Sequence, residues 1–113
     1  MNFCAEIGRL ATQPDLRTTS SGKSVCSFRI AVRKNKDETD FFDVVSFEST
    51  AVFIQRYFKK GDLIEIQGKL SQRRWQKNGE NHERVEILCG TAGFVPQSKE
   101  DTETTERASE NIQ

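Results

Sequence analysis

Apolar and polar residues alternate with a period of two over most of the chain, the pattern of strands that bury one face. In residues 23–33, Cys26, Phe28, Ile30 and Val32 fall on one side and Ser27, Arg29 and Arg33 on the other. Residues 63–75 repeat the pattern, with Ile64, Ile66 and Leu70 opposed to Glu65, Lys69, Arg73 and Trp75. Turn-forming residues separate the runs at Gln13-Pro14-Asp15, Ser20-Ser21-Gly22, residues 35–37 and Lys77-Asn78-Gly79-Glu80, where Asn-Gly predicts a tight hairpin. Residues 49–60 break the alternation. There Val52, Phe53, Ile54, Tyr57 and Phe58 recur at helical spacing, Ser49 is placed to cap the start and Gly61 to stop the end, which predicts a helix of about three turns.

The predicted order is three strands, one helix and two more strands. In 113 residues, room for one core but not two, that order fits an all-β fold. The expectation is a five-stranded Greek-key barrel of the oligonucleotide-binding (OB-fold) type with one helix between strands 3 and 4. Phe3, Phe28, Phe42, Phe53 and Phe58 are expected in the core or against the helix, and Phe94 at the close of the last strand.

Charge changes this picture only when it is divided. The formal net charge is zero, from 17 Lys and Arg against 17 Asp and Glu. Residues 1–97 carry 15 basic and 12 acidic side chains, a body of +3, and residues 98–113 carry 2 basic and 5 acidic, an end of −3. That end, SKEDTETTERASENIQ, has Ile112 as its one branched aliphatic and no aromatic, too little to offset the entropy of ordering it. Residues 1–97 are therefore expected to be the domain and residues 98–113 an acidic disordered tail. No long apolar run predicts a membrane span, no basic-then-apolar leader marks a signal peptide, and a cytoplasmic protein is expected.

Enzyme chemistry finds little to use. Cys4, Cys26 and Cys89 are too far apart for a metal pair, and each sits in an apolar stretch as a small hydrophobe would. The one histidine, His82, lies in the predicted hairpin, a poor place for a base that needs a fixed orienter. There is no phosphate-binding glycine loop. Asp40, Asp43 and Glu48 bring a metal-dependent nuclease to mind, yet Asp40 and Asp43 differ in strand parity and should diverge. The expectation is a non-enzymatic protein with no catalytic residue, metal or cofactor.

The informative chemistry is aromatic and basic. Phe41 and Phe47 are six residues apart on one predicted strand and share a face. Trp75 shares parity with Lys69 and Arg73, and Arg73-Arg74-Trp75 runs into a polar hairpin rather than into core. Single-stranded nucleic acid suits such a surface, because bases stack on exposed rings while arginines and lysines follow the phosphates. Lys69 and Arg33 join the candidate backbone contacts on the same parity argument.

In order, Gly8-Arg9-Leu10, Pro14-Asp15-Leu16-Arg17, Ser21-Gly22, residues 25–31, Asp40-Phe41 through Phe47, Ala51 through Lys59-Lys60-Gly61, Ile66 through Leu70, and Arg73-Arg74-Trp75 resemble the bacterial and phage single-stranded DNA-binding protein family. The resemblance covers about residues 1–95. It implies the OB-fold barrel and sequence-independent binding and protection of single-stranded DNA in replication, recombination or repair, by a homo-oligomer, usually a tetramer, with a dimer as the alternative. It matches Phe41, Phe47 and Trp75 to base-stacking aromatics, and Arg17, Lys60, Arg73 and Arg74 to positions at or near the DNA backbone. Where many relatives carry another stacking aromatic, this chain has Arg33-Lys34-Asn35-Lys36, so Lys34 enters the candidate backbone set as charge in place of stacking. Glu6 occupies a first-strand position that is commonly apolar in the family, in a strand that normally contributes to subunit pairing. The end Glu110-Asn111-Ile112-Gln113 lacks the proline–phenylalanine tip by which cellular members dock replication and recombination proteins, which fits a phage, plasmid or specialised version. The rival readings are an OB-fold adaptor that binds such proteins first and DNA second, and the nuclease.

Overall fold

The structure is a computed structural model and describes residues 1–96; the expected tail of residues 98–113 lies outside them. Its elements are β1 (Cys4–Leu10), β2 (Asp15–Thr18), β3 (Ser24–Arg33), β4 (Thr39–Phe47), α1 (Glu48–Tyr57), β5 (Leu63–Lys77) and β6 (Glu80–Gly93). Neighbours run β1-β5-β6-β4-β3-β2, and a further antiparallel pairing of Arg9 and Leu10 with Ala31 and Ile30 joins β1 to β3. That contact closes a five-membered ring, the all-β barrel expected. Closure needs a close approach, since a Cβ on Gly8 would stand 2.8 Å from the Ala31 carbonyl oxygen.

Four strands precede the helix rather than three. β2 pairs with Ser24–Ser27 of β3, the edge that β1 leaves free. All four of its residues are exposed, so it carries no alternation of buried and open positions for a sequence pattern to register. It extends the ring's edge without adding a member.

The helix is shorter than the spacing predicts and is not capped by Ser49. Phe47 stands at the N-cap without a side-chain hydrogen bond, and Ser49 lies inside the first turn. The start is fixed instead by a tertiary contact: Glu48, at a φ of 55°, accepts the Ser24 backbone N–H at 3.1 Å. At the other end Phe58 is already extended, and Gly61 serves the following turn, donating its N–H to the Leu10 carbonyl at 2.8 Å.

Inside the ring lie Leu10, Cys26, Phe28, Ile30, Val44, Ile64, Ile66, Ile87 and Cys89, and Ala51 and Ile54 from the helix, with Phe58 at its end, join the same core. Phe42 and Phe53 pack against them as expected. Phe3 does not: it precedes β1 and is 65% exposed. Leu70 keeps the inward parity of Ile64 and Ile66, yet is 49% exposed because β5 and β6 run on past the barrel rim as a two-stranded arm that nothing covers. At the rim the register shifts at Gln67/Gly68, where a Cβ on Gly68 would fall 1.9 Å from the Leu88 carbonyl oxygen. Phe94 follows β6 and stacks on Phe58 at 4.9 Å. The arm's turn is the tight hairpin that Asn-Gly predicts, with Asn78 and Gly79 both at positive φ.

Candidate nucleic-acid interface

Residues directly opposite in paired strands point to the same side, so the register assigns a face to every side chain. On β4 the outward positions are Phe41, Asp43, Val45 and Phe47. Their partners on β3 are Ala31, Arg29, Ser27 and Val25. Asp15 and Arg17 of β2 lie opposite Ser27 and Val25, and Arg33 lies opposite Thr39. In the other direction Val45 sits beside Leu88 of β6, which is opposite Lys69 of β5. Two steps at a time from there come Glu86 with Ser71, Arg84 with Arg73, and His82 with Trp75. One continuous outer surface across β2, β3, β4, β6 and β5 therefore gathers Phe41, Phe47, Trp75, Arg17, Arg33, Lys69 and Arg73.

The three aromatics are open on that surface, with Phe41 49%, Phe47 46% and Trp75 37% exposed. Guanidinium groups lie against two of them. The Arg29 guanidinium carbon is 5.3 Å from the centre of the Phe41 ring, and that of Arg73 is 5.1 Å from the Trp75 ring. Carboxylates hold the arginines: Arg17 pairs with Asp15 at 2.7 Å, Arg29 with Asp43 at 3.4 Å, Arg84 with Asp43 at 3.6 Å and Arg73 with Glu86 at 3.8 Å. A groove runs between Phe47, Arg29, Asp43, Arg73 and Arg84. Arg33, at the end of β3, donates to the carbonyls of Asn35 and Lys36.

A family model, the single-strand binding protein family, matches residues 1–95. The chain belongs to that family. Among its relatives is the single-stranded DNA-binding protein of Thermotoga maritima, 36% identical over 85% of this chain and 74% of the relative. Single-stranded DNA-binding protein 1 of Staphylococcus aureus (strain Mu50) is 32% identical over 91% of this chain and 71% of its own length. The single-stranded DNA-binding protein of Treponema pallidum is 31% identical over 77% of this chain, and the match spans about half, 53%, of that relative.

Three of the expected contacts of this family member are not among the strand positions that make up the shared face. Lys34 begins the β3–β4 loop, its N–H bonded to the Glu38 carbonyl at 3.0 Å. Lys60 lies in the turn after α1, its N–H bonded to Gln13 Oε1 at 3.2 Å, at the corner where β1 gives way to β2. Arg74 has the parity of Leu70 and points to the opposite side of the arm, where it pairs with Glu83 at 3.5 Å.

The face also holds side chains beyond the contacts that the sequence predicts. Arg29 was on the polar side of its strand. Arg84 and His82 could have been found by counting back from Asn78-Gly79, which pairs position 75 with 82 and 73 with 84. His82 stacks on Trp75, with ring centres 5.5 Å apart and planes at 18°. Among the described residues no cluster of His, Cys, Asp and Glu is gathered for a metal, and no helix is long and apolar enough to cross a membrane. Asp40 and Asp43 do fall on opposite sides of β4. The thiols are buried or half-buried, and desolvation, followed by the nearby Asp15 charge, pushes Cys26 up to about 11.

Proposed function

We propose that the outer face of β2, β3, β4, β6 and β5 is the surface on which this family member binds and protects single-stranded DNA without reading its sequence. Phe41, Phe47 and Trp75 stack bases, and Arg17, Arg33, Lys69 and Arg73 meet phosphates, with Lys34 and Lys60 at the rim. Arg74 is left out because it points away. The observation that carries the reading is the interleaving of three open rings with guanidinium groups on one continuous surface. Each stack contributes about 1–3 kcal/mol, so three exposed rings are enough for useful affinity in a protein with no net charge.

The chain works as a homo-oligomer, with a tetramer favoured over a dimer. Supporting this, Phe3, Ile7, Leu70 and Val85 are all more than 45% exposed. In addition, β1 from Cys4 to Gly8 pairs only with β5, which leaves its other edge open to a second copy. Replication, recombination and repair in the cytoplasm are the setting, and single-stranded DNA is the principal partner.

Titration of fluorescent oligo(dT), and of a duplex of equal length, at two salt concentrations with and without Mg²⁺ tests this. Tight, salt-dependent, metal-independent binding to the single strand alone is expected. Weak binding with no salt slope would favour an adaptor, and loss of the oligonucleotide with Mg²⁺ a nuclease.

A further inference from the structure

Asp43 sits at the middle of the face, two residues from Phe41 and four from Phe47, where bases are expected rather than an anion. Its two oxygens are both engaged. Oδ1 faces Arg29 Nε from β3 and Oδ2 faces Arg84 Nε from β6, at 3.4 and 3.6 Å. The Asp43 side chain is 28% exposed and the two arginines are about half exposed, so the carboxylate is the inner member and the guanidinium groups are the rim. Two guanidinium groups converging from neighbouring strands are the arrangement that holds a phosphate. Here the pair already holds an anion supplied by the chain itself.

We propose that Asp43 is an internal counterion occupying a two-arginine phosphate site, and that it sets how steeply DNA binding depends on salt. A phosphodiester brought to Arg29 and Arg84 meets a fixed negative charge between them, so the two arginines release fewer counterions on binding than two unpaired ones would. Asp43 also keeps the phosphate chain off the centre of the face, which leaves the strip between Phe41 and Phe47 to bases. This rests on the DNA face assigned above, and goes beyond it by naming the group that limits its electrostatics.

The test is the slope of log affinity against log salt for oligo(dT) with wild type, Asp43→Asn, Asp43→Asn with Arg84→Gln, and Trp75→Ala. Each phosphate contact on a single strand contributes a slope of about −0.7, which makes about 2.6-fold in affinity between 200 and 50 mM salt. Asp43→Asn is expected to steepen the slope by about 0.7, one phosphate held by the two arginines together, tightening binding about 2.6-fold more than wild type over that range. Adding Arg84→Gln returns the cluster to its wild-type net charge and should give back most of the steepening. Asparagine is nearly isosteric on this open face, and Asp43→Ser, which removes the charge with a smaller side chain, should steepen the slope equally. An unchanged slope, or weaker binding at every salt concentration, in variants that melt like wild type would overturn the proposal. If Trp75→Ala weakens binding while Asp43→Asn leaves the slope unchanged, only the counterion role fails. If neither variant changes anything, the face itself is wrongly assigned.

Discussion

The imidazole of His82 lies nearly parallel to the indole of Trp75, across the two strands of the arm and 5.5 Å away between ring centres. With Arg73 5.1 Å from the same indole, the chain's one tryptophan is held upright on a part of the structure that has no core beneath it. Trp75→Ala is therefore expected to weaken oligo(dT) binding by about 1–3 kcal/mol with little effect on the melting of the barrel. His82→Ala removes one cross-strand neighbour but not the platform, and should cost less than about 1 kcal/mol. Because Trp75 is the sole tryptophan, its quenching in wild type reports the stack directly; no quenching on saturation with DNA would place the base elsewhere.

Phe47 tests the far end of the track. It is both an open ring on the face and the residue that leads into α1, where it makes no side-chain capping bond. Phe47→Ala should thus lower affinity by about 1–3 kcal/mol, additively with Trp75→Ala because the two sites share no contact. A large loss of stability without loss of affinity per folded molecule would make Phe47 a structural residue.

Much of this was legible in the chain because period-two alternation survives wherever a strand has one wet side. The alternation from Cys26 to Val32 and the Asn78-Gly79 turn mark their elements, and the parity of Phe41, Phe47 and Trp75 puts them on the outside. What escaped has local physical causes. β2 is exposed on both sides and has no pattern to read. Glu48 starts the helix through a contact with Ser24, 24 residues away in the chain, which no capping rule anticipates. Leu70 has a core residue's parity, but its strand outruns the barrel. The Asp43 bridge needs β6 beside β4, a parallel pairing between strands with α1 and β5 between them in the chain.

Gly68 lets β5 cross β6 at the barrel rim. A methyl group there would lie 1.9 Å from the Leu88 carbonyl oxygen and 2.8 Å from its carbon, both backbone atoms that cannot rotate away. Gly68→Ala is expected to destabilise the fold by about 1–3 kcal/mol, read from urea unfolding. The same change at Gly93, which has nothing near its Cβ position, should fall within about 0.5 kcal/mol of wild type.

The thiols predict a pH effect with a definite sign. Burial holds the Cys26 thiol up at about 11 in the folded chain, against 9.0 for an ordinary cysteine, so the folded state keeps its proton longer than the unfolded one. The stability this represents is fully present below pH 9 and is lost as the pH rises from about 9 to 11. Urea midpoints should fall across that window, and Cys26→Ala should flatten the fall. Alkylation at pH 8 should mark Cys4, the half-exposed thiol, ahead of Cys26 and Cys89.

Arg73 and Arg74 are adjacent in sequence and opposite in space, which makes them the sharpest test of the face. Arg73 stands with Trp75 and reaches Glu86, whereas Arg74 stands with Leu70 and reaches Glu83. A protein that bound DNA by diffuse attraction to the arm would feel the loss of either charge alike. If phosphates meet the Trp75 side, Arg73→Gln should lower affinity and reduce the magnitude of the salt slope by about 0.7, one phosphate contact, and Arg74→Gln should leave the slope where it was. Equal effects from the two would mean that the strand wraps the arm on both sides, and the single-face track would have to be abandoned.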